Sequence, residues 1–181
     1  MMKALHVGLI AGMLSFWIAA PCQAQTKAIL DAQVLETVKQ FKLLDPRHEE
    51  FLRKAAGVLV FPQVSKGGIA LASGYGEGVL EVDGSPADYY SIAIASVGLT
   101  AGVGMHSEII LFMTPDALEK FRNSKGWTLA ADSGIAIISK GIATDYDGAT
   151  LKKPVLVFVF GEKGLIADLS LRGSKINRIS K

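Results

Sequence analysis

The chain has 181 residues, half of them hydrophobic and 20% charged, with 19 Lys and Arg against 17 Asp and Glu. That composition excludes a disordered chain and supplies enough apolar side chain for one packed domain. A formal charge of +2 steers the protein toward no particular class of partner.

Residues Met1 to Ala24 read as a secretory signal: Lys3 near the start, an apolar run from Val7 to Ala20, then Pro21-Cys22-Gln23-Ala24 before Gln25. The apolar run is too short for a membrane span. Cys22 has two fates, lipidation as the first residue of a lipoprotein or removal with the signal. Pro21 stands where a lipoprotein signal wants a small residue, so cleavage after Ala24 is expected. The mature chain, residues 25–181, is then a single exported, periplasmic domain without cysteine, which excludes disulfides and thiol chemistry.

Thr26 to Leu44 has Leu30, Val34, Val38 and Phe41 at helical spacing. Asp45-Pro46 starts a second helix, expected to run to Gly57. From Gly57 to Leu80 the pattern reads as a hairpin: a buried strand VLVF, a turn at PQVSKG, and a long strand. Within that second strand Gly68, Ala70, Ala72, Gly74, Gly76 and Gly78 all fall on one face, nearly bare backbone. Two occupants suit such a face, a closely packed helix such as Ile29 to Leu44 or an acyl chain. Asp83-Gly84 is a turn, and Tyr89 to Val97, Gly98 to Gly104 and Ile109 to Met113 are further strand segments, the middle one again poor in side chains. Thr114-Pro115-Asp116 caps a third helix carrying Leu118 and Phe121. Trp127 to Ser139 and Gly141 to Asp145 read as strands, Asp147-Gly148 as a turn, Pro154 to Phe160 as a fully buried strand and Leu165 to Leu171 as an alternating one. The sum is an α+β fold, a strongly bent antiparallel sheet curled toward a barrel, with two N-terminal helices and one mid-chain helix.

The hairpin has an echo. Val58 to Gly76 aligned with Val155 to Gly173 gives ten identities in 19 positions, so the chain carries a pseudo-repeated β-hairpin, readable as two copies about a pseudo-twofold axis.

Little of the sequence is catalytic. His48 and His106 have no metal-site spacing, and His48-Glu49-Glu50-Phe51 lacks the second histidine of a zinc-protease helix. Asp145-x-Asp147-Gly148 lacks the later ligands of a calcium loop. The glycine runs are neither dinucleotide nor phosphate loops. Ser65-Lys66 and Ser139-Lys140 are neighbours that point apart on strands. No enzyme, metal or cofactor is expected. The C-terminal segment has Arg172, Lys175, Arg178 and Lys181 at a spacing of three and no acid after Asp168. It reads either as a solvated basic tail or as a surface attracted to anionic phospholipid headgroups. No aromatics interleave with these cations, so nucleic acid is not expected.

The runs AAGVLVFPQVSKGGIALASGYGEGVL, YYSIAIASVGLTAGVG, LFMTPDALEKFRNSKGW and KPVLVFVFGEKGLIADLSLRGSKI, in this order, closely resemble the lipid-binding SYLF domain in its bacterial exported form. The resemblance spans essentially all of the mature chain and implies lipid binding. Actin and phosphoinositides, associated with eukaryotic relatives, are not expected partners in an exported compartment. The resulting expectation is a non-enzymatic protein that meets anionic phospholipid through Arg172, Lys175 and Arg178, with the Gly68, Ala70, Ala72, Gly74 and Gly76 face adding apolar depth. The alternative is a structural module binding an envelope protein.

Overall fold

The computed structural model describes residues 26–129, 134–139, 150–164 and 174–181. The order is α1 (Lys27–Leu44), α2 (Arg47–Lys54), β1 (Gly57–Val82), β2 (Ser85–Phe112), α3 (Pro115–Asn123), β3 (Trp127–Thr128), β4 (Ile135–Ser139), a 3-10 turn (Thr150–Lys152), β5 (Val155–Gly164) and β6 (Lys175–Ile179). This is the expected α+β fold, three helices on a sheet curled into a half-barrel. The tract expected around Gly141 to Gly148 and the strand Leu165 to Leu171 lie outside the described residues.

Two strands dominate. β1 is 26 residues long and β2 is 28, and they pair antiparallel from Val82↔Ser85 to Gly57↔Phe112. The link is the two-residue turn Asp83-Gly84, with φ of 52° and 71°. Positive φ at both central positions is the requirement of a type I′ hairpin, and Asp-Gly is a sequence that meets it. The PQVSKG tract is a bulge between Phe61 and Val64 inside β1, where a turn was expected. Bulge and turn call on the same residue types, and the pairing of both flanks with β2 makes this one a bulge. The three segments expected between Tyr89 and Met113 likewise merge into the single strand β2.

β2 is the central strand. Across from β1 it pairs with β5 through residues 104–112 and with β6 through residues 89–93. β3 adds to β6, and β4 adds to β5 in parallel, so the otherwise antiparallel sheet is mixed. Both VLVF copies flank one stretch of β2: Leu111 has Val58 on one side and Leu156 on the other. The flanking strands run in the same direction, one residue out of register with the sequence alignment, so aligned residues face opposite ways.

That alternation builds two cores. Inward, Leu59, Phe61, Ile110, Phe112, Val155, Val157 and Ile176 pack with Leu118 and Phe121 of α3. Outward, Val58, Val60, Ile109, Leu111, Leu156, Phe158 and Phe160 pack under Leu30, Val34 and Phe41 of α1. Hence β5 is buried continuously from Val155 to Phe160, as a strand covered on both faces must be. The neighbours Tyr89 and Tyr90 divide between the layers. The Tyr89 hydroxyl donates to Asp31 of α1 at 2.9 Å and Lys27 sits 4.7 Å over its ring, whereas Tyr90 lies 4.8 Å from Phe121 of α3.

The helices start as their caps dictate. Asp45 Oδ1 accepts from Arg47 N at 2.8 Å, and Thr114 Oγ1 accepts from Ala117 N at 3.3 Å with Pro115 in the first turn. α2 stops at Lys54, short of Gly57. Gly57 opens β1 instead, where a Cβ would lie 2.7 Å from Leu118 Cδ1. His48, on α2, is buried and stacked 3.9 Å from Phe41, and its Nδ1–H donates to Phe41 O at 2.7 Å. Burial holds its pKa below the usual histidine value.

Candidate functional site

The small-residue face of β1 is closed by β1 itself. A Cβ on Gly74 would lie 2.8 Å from Ser65 O, one on Gly76 2.8 Å from Gln63 O, and one on Gly78 2.4 Å from Val60 O. The strand bends so that its second half lies on its first, far closer than the ~10 Å usual between packed sheet layers. Neither α1 nor an acyl chain fits between Gly74, Gly76 or Gly78 and the backbone they meet. Of the other members, Gly68 is half-buried, Ala72 is buried, and the side chain of Ala70 is outside the described set.

The C-terminal basic segment is not a tail. Lys175–Ile179 is the strand β6, anchored by Ile176, which is 1% exposed in the inner core. Arg178, opposite Tyr90 in the register, bonds through Nη2 to Asp88 Oδ1. Asp88 is buried, and its second oxygen lies 3.3 Å from Arg122 Nη2 at the end of α3. The two guanidinium side chains remain 62% and 44% exposed, so each keeps N–H donors for a further anion. Burial, with the nearby Asp88 charge adding to it, raises the Tyr90 pKa.

Lys175 lies on the opposite face of β6 from Arg178, alongside Asn177. Its Cε lies 2.9 Å from where a Cβ on Gly126 would be, so the stem crosses a glycine held at φ +106°. A side chain at residue 126 would be strained and would displace the lysine. Lys125 is the adjacent exposed cation, and neither lysine makes an ion pair among the described residues. Lys181 is engaged elsewhere, 2.6 Å from Glu77. Arg172 lies outside the described residues.

The result is a pair of guanidinium groups, Arg122 and Arg178, on one buried carboxylate, with Lys175 and Lys125 beside Gly126 on the other side of β6. The sequence reading named Lys175 and Arg178 and missed Arg122 and Lys125. These two sit 50 or more residues earlier, and the local signal of Arg122 is that of a cation finishing a helix, favourable there against the carbonyl end of the dipole. Such cations can hold a phosphate or carboxylate; no cluster of three or more His, Cys, Asp or Glu able to hold a metal exists among the described residues. Nor, among them, is any helix long and apolar enough to cross a membrane.

No curated protein matches the chain. Residues 93–180 match the family model described as Ysc84, Las17-binding protein actin regulator. The matched stretch holds most of β2, α3 and all of β3 to β6, and with them all four of Arg122, Lys125, Lys175 and Arg178, while Asp88 lies just before it. Over residues 93–180 the chain is thus similar to the SYLF family, a family of binding domains.

Proposed function

We propose that this chain is a non-enzymatic, exported protein of the cell envelope that binds anionic phospholipid through the face formed by the end of α3 and by β6. The observation that carries the reading is the convergence of Arg122 and Arg178 on the buried carboxylate of Asp88, which leaves one positive charge in excess, with the exposed Lys125 and Lys175 flanking Gly126 at the same end of β6. The family supplies the broader expectation of a binding role.

Near an anionic membrane each Lys or Arg contributes about 1 kcal/mol, and salt screens the attraction. Lys125 and Lys175 are the residues to change, because Arg178→Glu would set a carboxylate against Asp88 and damage the fold. The double variant Lys125→Ala/Lys175→Ala should weaken binding to vesicles of anionic phospholipid by roughly 30-fold, two charges at about 1 kcal/mol each. Co-sedimentation with anionic and neutral vesicles at low and high salt measures this. Equal sedimentation of variant and parent would remove this face from the mechanism. No binding by the parent protein would favour a protein partner in the envelope.

A further inference from the structure

The inner face of the half-barrel holds a carboxylic acid that the lipid reading does not use. Glu108 is fully buried, and neither carboxyl oxygen has a hydrogen-bond partner. Two residues earlier on the same face of β2, His106 is 4% exposed, and its Nε2, also without a hydrogen bond, lies 3.8 Å from Glu108 Oε2. That gap is too long for a hydrogen bond and short enough for one to form with a small side-chain rotation.

The pair sits on a distorted seam. Opposite His106, β1 carries its bulge between Phe61 and Val64. On the other side the β2–β5 register shifts between Met105 and Ser107, at Gly161 with φ +68°. On the outer, α1 side of the same seam a cavity of about 340 Å³ opens, with His106 among its lining residues. Bulges concentrate where a strand must re-aim side chains.

We propose that His106 and Glu108 share one proton, and that loss of this proton as pH rises loosens the bulged seam between β2 and β5. With the proton present, an N–H or O–H lies between the two groups and the pair carries no net charge. Without it, an ionised carboxylate faces a neutral imidazole in an apolar wall, since Phe61 and Val159 are its partners across the strands. The charged groups around the pair are Lys66, buried on β1, and Glu36 of α1 with Lys163 of β5 at the cavity. None of these forms an ion pair with Glu108 among the described residues. Burial raises the Glu108 pKa above its usual value, against a smaller lowering by His106.

The sign follows from linkage. Up to about pH 6.5 the unfolded chain still carries one proton on the histidine, as the folded pair does; above that, unfolding releases the shared proton, so stability falls as pH rises and stays lower once the folded pair has also lost it. Glu108→Gln keeps shape and hydrogen-bonding capacity without the titration. Its Tm should match the parent's near pH 4.5 and exceed it at pH 8 by roughly 5 °C. His106→Gln removes the compensating partner and should lose more stability with rising pH than the parent. Amide exchange, corrected for intrinsic rate, should speed up with pH in residues 104–110 and 157–164 of the parent and not of Glu108→Gln. A Tm difference between parent and Glu108→Gln that stays constant with pH would overturn the proposal. So would a pH dependence that disappears when the protein is treated with a chelator.

Discussion

Gly78→Val should abolish folding. The Cβ alone would stand 2.4 Å from Val60 O and 2.6 Å from Phe61 Cδ1, and the first of these is backbone held in the ladder with β2. Overpacking that flexible side chains can absorb costs about 1–3 kcal/mol, and here the strand itself must move. With domain stabilities of about 5–15 kcal/mol, even Gly78→Ala should remove much of the total, and valine's branching adds two more atoms to the same clash. Gly84→Ala is the matched control. Nothing lies within 4 Å of its Cβ, so only the φ of +71° opposes it, a cost of about 1–2 kcal/mol. Urea denaturation followed by circular dichroism separates the two: a cooperative transition retained in Gly84→Ala and absent in Gly78→Val. A folded Gly78→Val protein would mean that the two halves of β1 are not pressed together.

Phe158→Ala should cost about 3–5 kcal/mol, the range for truncating a buried aromatic ring. Phe158 is the keystone of the outer core: its ring centroid lies 4.9 Å from Phe41 of α1, and 5.1 Å from His48 and 6.2 Å from Phe51 of α2. Truncation leaves a cavity that two short helices must collapse into, and both depend on this contact for their seat on the sheet. For a domain of this length the loss corresponds to a fall in Tm of roughly 6–20 °C. Thermal denaturation by calorimetry measures it, and a fall under about 3 °C would show that α1 and α2 do not dock through this ring.

Local chemistry was legible in the sequence, and distant contact was not. The stripe Leu30, Val34, Phe41 names the buried face of α1, Thr114-Pro115 names the start of α3, and Asp83-Gly84 names the hairpin turn, because each signal is complete within a few residues. The run of six buried residues Val155 to Phe160 likewise announced a strand covered on both sides. The PQVSKG bulge was read as a turn because proline, glycine and serine serve both, and only pairing with β2 distinguishes them. The occupant of the glycine face was hidden because Val60 and Gly78 meet through a bend in one strand, which no periodicity records. Of the basic residues, those of β6 looked like a solvated tail because Ile176 stands among Lys175, Asn177 and Arg178 on a five-residue strand. Arg122 joins Arg178 only through Asp88, and a buried acid shared by two arginines leaves no trace in spacing.

The central position of β2 bears on where the cooperative unit begins. The family match starts at residue 93, inside β2, whose pairing with β6 covers Tyr89 to Ala93. A fragment cut there would keep the last paired residue and lose the other four, together with all of β1, the only described neighbour on that side of β2. It would present an open strand edge along residues 93–112 and leave Phe158 and Phe160 without the helices that cover them, an invitation to edge-to-edge aggregation. The evolutionary signature and the autonomous folding unit therefore have different boundaries in this protein, and the latter reaches back at least to α1.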